Sequence, residues 1–457
     1  MKPSTKAARP APPGLRRVID LAVPIVISNV TVPLIGLVDT AVMGRMPDAA
    51  YIGAVALGAV VFSFVYWGFG FLRMGTTGLT AQAFGRWHVA PSAAVGTELR
   101  AAFARPLAMA FAVALALVVL QWPVGAAAFA ILNGSEQVEA LAETYFYVRI
   151  WGAPFTLGSY AVLGWLLGVQ ATRAAMATQI VTNLANVALS LLFVLGFGWG
   201  VAGVAAASVL AEAGGLAFGV VLVRRRLRQA TGDPGLRVER TVLLDRSALK
   251  RLAGVNFDIF VRTLVLVFAL AWLTDRSAQL GDRLLAANAI LLQFQAFLAF
   301  ALDAFAFAAE ALVGQAIGAR DRAMLVTSIR LTWLLGLAVA AAFAVAYAAF
   351  AGPLVAIMTD LPEVREITLE YRWWMAGIPL AAVSSYLLDG VFIGATRTRE
   401  MRNAMLVSVA LFVGLGYLLA GWYGNHGLWT AYTLFMLIRT ASLLIYLPRL
   451  MRDAGPA

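Results

Sequence analysis

"VRRRLRQATGDPGLRVERTVLLDRSALKRL", Val223 to Leu252, decides the architecture of this chain. It is a basic, polar stretch close to the midpoint of 457 residues that are otherwise strongly apolar, and its Gly and Pro punctuate a linker rather than a span. To either side, cutting at charged residues, Gly and Pro leaves about six apolar runs that each reach the roughly 20 residues a bilayer-crossing helix needs. The spacing predicts spans centred near Ile35, Phe69, Leu115, Pro154, Ala185 and Leu210, then Leu264, Ala299, Val339, Ala381, Leu411 and Leu437. The expected layout is an N-terminal tail (residues 1–17), an N-lobe (18–228), a linker (229–246), a C-lobe (247–450) and a C-terminal tail (451–457).

Composition names the solvent. Hydrophobic residues make up 61% of the chain and charged residues 13%, whereas soluble domains run near 45–50% apolar and about 25% charged. Lipid leaves backbone polar groups unsatisfied, so spans are helices or closed barrels, and long apolar runs without period-two alternation select helices. The fold class expected is an all-α integral membrane protein of about twelve helices in two pseudo-symmetric six-helix bundles. The +11 formal charge does not point to nucleic acid, because the arginines cluster between apolar runs. With no cysteine there is no disulfide and no thiolate chemistry, and His88 and His426 stand too far apart in sequence to suggest a metal pair. The basic start (Lys2, Lys6, Arg9, Arg16, Arg17) leads into a run too long for a signal peptide, which reads as a retained first span.

Arginine also sets the orientation. Arg86 and Arg100, Arg173, Arg224 to Arg228, Arg320 and Arg322, and Arg397, Arg399 and Arg402 fall in even-numbered connections. The odd ones, such as "NGSEQVEALAE" and "TDLPEVREI", are arginine-poor or acid-balanced, which places both termini in the cytoplasm.

The halves repeat. "GLTAQAFGR" (Gly78 to Arg86) resembles "ALVGQAIGAR" (Ala311 to Arg320), and "GAPF" from Gly152 with Ala171–Arg173 resembles "GIPL" from Gly377 with Ala395–Arg397. Six spans per half make the repeats parallel, and two such bundles imply a cleft and a transporter.

Charges inside the spans are the candidate machinery, since intramembrane ionisable residues are costly. Asp39 interrupts "VPLIGLVDTAVMG" (Val32 to Gly44) with no charged neighbour within a turn, and it is the expected proton site. In the fifth span Gln179, Thr182 or Asn183, Asn186 and Ser190 recur at helical spacing, either lining a cavity or bonding between helices. Arg73, Thr76 or Thr77 and Thr80 share a face of the second span, and Arg73 is a candidate partner for Asp39. The C-terminal half holds Asp258 and Arg262, spaced for an intrahelical ion pair, then Asp303, Glu310 and Asp389. The cavity is expected to draw on Gln179, Asn183, Met43, Arg73 and Thr77.

"LVDTAVMGRM…IGAVALG", "FLRMGTTGLTAQAFG", "LFVLGFGWGVAGVAAASVLAE", "AFAAEALVGQAIGARD" and "LLDGVFIGATRT" together resemble the multidrug and toxic compound extrusion (MATE) transporters, especially the DinF-like subfamily. The resemblance covers nearly the whole chain. It implies export of cationic or amphipathic small molecules coupled to inward H⁺ or Na⁺, with the bilayer and the substrate as partners, no cofactor, and a monomer. It assigns coupling roles to Asp39, Asn186 and, on the sixth helix, Ser208, and a bend to Pro24. Where many relatives carry a further carboxylate this chain has Ser190, which weakens a Na⁺ site and favours H⁺, with Na⁺ kept as the alternative. The rival readings are a lipid-linked oligosaccharide flippase, which calls for a more basic cavity, and an intramembrane enzyme, for which no catalytic constellation is present.

Overall fold

The computed structural model describes residues 12–131 and 135–455, so Lys2, Lys6 and Arg9 and the loop residues Asn133 and Gly134 lie outside the described residues. Among them there are helices and no strands. In chain order these are α1 (Leu15–Met43), α2 (Ala50–Gly68), α3 (Phe71–Val89), α4 (Ala93–Val119), α5 (Gln121–Ile131), α6 (Glu136–Arg149), α7 (Ala153–Gly168) and α8 (Thr172–Leu191). There follow α9 (Gly200–Thr231), α10 (Arg240–Leu243), α11 (Arg246–Gln279), α12 (Asp282–Ala319), α13 (Arg322–Met358), α14 (Pro362–Glu370), α15 (Arg372–Gly394) and α16 (Thr398–Asp453).

Ten helical stretches among the described residues are long and apolar enough to cross a membrane. The expected first span, around Ile35, is carried by α1, and the 55-residue stretch Thr398–Arg452 contains the eleventh and twelfth. That stretch is broken at Gly424, whose φ of 56° and ψ of −132° suit glycine alone. Side chains such as Ile357, Ile445 and Trp422 are largely exposed, as lipid-facing residues of an all-α membrane protein are.

The chain divides into two compact units, Val23–Ala253 and, together, Met1–Ala22 with Gly254–Ala457. The divisions fall inside α1, beside Pro24, and inside α11. Pro24 is buried within a continuous helix, where it cannot supply the amide that would bond the carbonyl of Asp20.

Within each unit the same glycine device recurs. A Cβ at Gly164 or Gly168 of α7 would overlap the carbonyl oxygens of Arg73 and Thr77 on α3, and one at Gly390 or Gly394 of α15 would overlap those of Ala306 and Glu310 on α12. After Gly168 and after Gly394 the chain passes one residue and then a non-glycine in the left-handed region, Gln170 (φ 58°) or Thr396 (φ 54°), before the next helix opens at Thr172 or Thr398. The internal repeat is therefore present in three dimensions. Its register corrects the sequence match, however: Gln170 corresponds to Thr396, which shifts the Ala-Thr-Arg alignment by two residues.

The glycine contacts carry a stability prediction. Overpacking costs about 1–3 kcal/mol, so Gly390→Val should lower the thermal midpoint of the detergent-purified protein. Gly377→Ala, with nothing within 4 Å of its added Cβ, should leave the midpoint nearly unchanged. Equal midpoints for Gly390→Val and wild type would remove the close-approach argument.

Candidate functional site

The Val23–Ala253 unit encloses a cavity of about 380 Å³ between α1, α2, α6, α7, α8 and α9. The polar face of α8 forms one wall, with Gln179, Asn183 and Asn186 at helical spacing. Both uses expected of that face occur together. Gln179 Nε2 donates to Asn183 Oδ1 at 3.1 Å, Asn183 Nδ2 donates to Thr31 Oγ1 of α1 at 2.7 Å, and Asn186 Nδ2 donates to Ser208 Oγ of α9 at 2.9 Å. The Oδ1 of Asn186 is buried without a hydrogen-bond partner among the described residues.

One turn beyond Asn186, Ser190 is fully buried and its hydroxyl donates to Asp39 Oδ1 at 3.2 Å. α1 brings Asp39 to this point, so Asp39, Ser190, Asn186 and Ser208 are joined in two hydrogen-bonded pairs at neighbouring levels of α8.

A second membrane-embedded carboxylate, besides Asp39, stands on α9, the helix packed beside α8. Glu212 lies one turn past Ser208 on α9 and lines the cavity. Arg149, at the end of α6, holds it in a two-pronged pair, with NH1 donating to Oε2 at 3.0 Å, and the Thr156 hydroxyl donates to the same oxygen. The guanidinium also stands 5.4 Å from the ring centroids of both Phe62 and Tyr66, a cation–π arrangement. Gly152 leaves room for this pair, since a Cβ there would lie 3.1 Å from the Glu212 carboxylate. The signal was available in the sequence: Glu212 and Arg149 are lone charges in the apolar runs "VLAEAGGLAF" and "FYVRIWGAPF".

Met43, Arg73 and Thr77 do not line this cavity. Met43 and Thr77 are fully buried, and the Thr77 hydroxyl donates back to the Arg73 carbonyl at 2.9 Å. For Thr77 the reason is the glycine contact of α7, which closes that part of α3 against a neighbouring helix. The cation within electrostatic reach of Asp39 is Arg149 rather than the expected Arg73.

In the other unit the expected Asp258–Arg262 intrahelical pair is replaced by partners from other helices. Asp258 accepts from Arg402 at 2.7 Å and from Thr398 at 3.1 Å, at the start of α16. Arg262 instead pairs with Asp389 of α15, whose Oδ2 also accepts from Arg439 of α16 at 2.7 Å. The packed helices bring carboxylates closer from across the bundle than the four-residue spacing does. Asp303 and Glu310 both lie on α12, the second buried and the first partly so. Arg439, 2% exposed at its side chain, is a further residue that the sequence reading missed.

The cavity, the glycine-clamped repeat and the charge clusters can be set beside known proteins. The MatE family model matches residues 24–192 and 259–418. The chain belongs to the MatE family. It is 40% identical over 423 residues to DNA damage-inducible protein F of Escherichia coli (strain K12), covering 93% of this chain and 90% of that one. Among solved structures it resembles the Vibrio cholerae MATE transporter VcmN in the bent form, with a TM-score of 0.81 at 19% identity over 96% of this chain and 97% of that one. A second crystal structure, of a MATE in the bent conformation, superposes with a TM-score of 0.82 at 17% identity, covering 96% of each chain. This MatE protein is therefore a DinF-like membrane transporter of a multidrug efflux family whose members are transporters rather than enzymes, and the flippase reading is not favoured.

Proposed function

We propose that this MatE protein exports cationic or amphipathic small molecules by alternating access, driven by inward H⁺ through Asp39. The observation that carries the reading is the pair of carboxylates at the N-terminal cavity: Glu212 on its wall is bound by Arg149, while Asp39 beside it accepts from the neutral Ser190 hydroxyl. A carboxylate faced by a neutral donor suits a cation, and the Tyr66 and Tyr160 rings supply apolar and π surface for its body. A proton on Asp39 removes the charge that Ser190 donates to, which weakens a charge-assisted bond and changes the preference of the cavity between substrate-loaded and proton-loaded states. Na⁺ remains the second reading, favoured by the unpartnered Asn186 Oδ1, an oxygen of the type a hard cation takes. No cofactor takes part in either reading, and the protein acts as a monomer in a bacterial inner membrane with both termini cytoplasmic.

Purified protein in liposomes decides the coupling. Efflux of a fluorescent organic cation should follow an imposed pH gradient and be indifferent to a Na⁺ gradient; dependence on Na⁺ alone would overturn the proton assignment. At equal membrane abundance, Asn186→Leu should reduce transport by about tenfold, the equivalent of one lost charge-assisted or well-placed hydrogen bond. Ala188→Leu, on the exposed face of the same helix, should transport at nearly the wild-type rate. Because the chain has no cysteine, a single Arg226→Cys can be labelled selectively. An impermeant maleimide should reach it from the cytoplasmic side, and labelling only from outside would reverse the orientation.

A further inference from the structure

We propose that a second, polar pocket between α3, α4 and the first turns of α11 binds a phosphate group, presented by a phospholipid headgroup or as free phosphate. This pocket, of about 200 Å³, lies wholly within the Val23–Ala253 unit and is separate from the transport cavity. Three guanidiniums line it, Arg86, Arg105 and Arg251, against one carboxylate, Glu98.

The single carboxylate is already engaged, since Arg86 Nε donates to Glu98 Oε2 at 3.0 Å as part of a two-pronged pair. Arg251 also donates to Gln82 Oε1 at 2.7 Å, within electrostatic reach of Glu98, and Arg105 NH2 donates to the Val242 carbonyl at 2.6 Å, within reach of Asp245. The Nε of Arg105 is buried with no acceptor among the described residues. A buried charged donor without an acceptor is costly, and a phosphate oxygen supplies the acceptor and the opposite charge together. Asp245, the next carboxylate along, is occupied in capping α11, where its Oδ1 accepts from Ala248 N at 2.7 Å and Ser247 Oγ at 2.6 Å.

Planar guanidiniums bind phosphate oxygens two at a time, and basic pockets between membrane helices are a recurrent headgroup site. Leu79, Pro106 and Leu252 complete the lining with apolar surface, which suits the glycerol end of a lipid. Because α11 contributes Arg251 and α4 contributes Arg105, an occupant would fasten the start of α11 to α3 and α4.

Thermal unfolding of the full-length protein in detergent tests this at constant ionic strength. The titrants are inorganic phosphate, dioleoyl phosphatidylglycerol, and dioleoylglycerol as the phosphate-free lipid. A saturable rise in midpoint is expected with phosphatidylglycerol or inorganic phosphate and not with dioleoylglycerol. A rise with inorganic phosphate identifies a free-phosphate site, and a rise with the phospholipid alone identifies a headgroup site. Arg105→Gln and Arg251→Gln should each raise the apparent Kd about tenfold or more, from the loss of a charged hydrogen bond. Arg283→Gln, at an exposed pair in the other unit, should not change it. If Arg105→Gln fails to fold, Arg105→Lys, which keeps the charge and loses the Nε donor, and Arg251→Gln carry the test. No saturable response to either phosphate compound, or an unchanged Kd in the variants that fold, overturns the proposal.

Discussion

Asp39→Asn should abolish gradient-driven export while leaving a folded, membrane-inserted protein. The amide keeps the size of the carboxylate and can still accept from the Ser190 hydroxyl, now 3.2 Å from Oδ1, so the local packing is retained. Removing an intramembrane charge relieves an insertion cost of about 2.5–3.5 kcal/mol rather than adding one. The variant cannot cycle between charged and neutral forms, and without a state-dependent difference the ion gradient has no hold on the conformational equilibrium. Pumping in proteoliposomes under a pH gradient should fall to the leak rate of protein-free vesicles. Binding of the organic cation can persist through Glu212, so equilibrium binding should be lost far less than transport. Wild-type pumping by well-expressed Asp39→Asn protein would end the assignment of the coupling site. Ser190→Asp is the companion measurement: a second anion beside Asp39 restores the carboxylate of many relatives and should make transport sensitive to Na⁺.

Arg149→Leu should be the most destabilising single substitution in the N-terminal cavity. The side chains of Arg149 and Glu212 are 10% and 17% exposed, and removal of the cation strands the anion inside the helix bundle. Breaking a buried pair from one side costs about 3–5 kcal/mol, whereas replacing both members by apolar residues is often close to neutral. The thermal midpoint of Arg149→Leu in detergent should drop by several degrees, and the double variant Arg149→Leu with Glu212→Leu should recover most of the loss. Thr156→Val, which removes one neutral donor to the same carboxylate, should cost about 1 kcal/mol. A double variant as unstable as Arg149→Leu would mean that the pair does not act as a unit.

The same pair shows where sequence reasoning stops. Composition, the arginine-rich linker and the two matched motifs sufficed for a helical membrane protein in two repeated halves, because lipid permits few backbone solutions and a helix carries its polar face at a fixed spacing. The face of Gln179, Asn183, Asn186 and Ser190 was legible for that reason, and it lies where the cavity and Asp39 are. Ion pairing was not legible, because a carboxylate chooses among partners by distance in space. Asp258 and Arg262 have a spacing that allows a pair within one helix, but Arg402 and Asp389 arrive from neighbouring helices and take them apart. Arg149 and Glu212 are 63 residues apart and meet because α6 and α9 pack side by side. Thr77 reads as a cavity residue until Gly168 draws α7 against its backbone, which turns the same helical face into a contact. The sequence by itself determined the solvent, the helices, the repeat and which faces are polar, all of which follow from local periodicity and the chemistry of lipid. Tertiary structure alone decided which charges neutralise one another and which polar faces stay open, since both depend on how closely two helices approach, and here that distance is set by glycines on the partner helix.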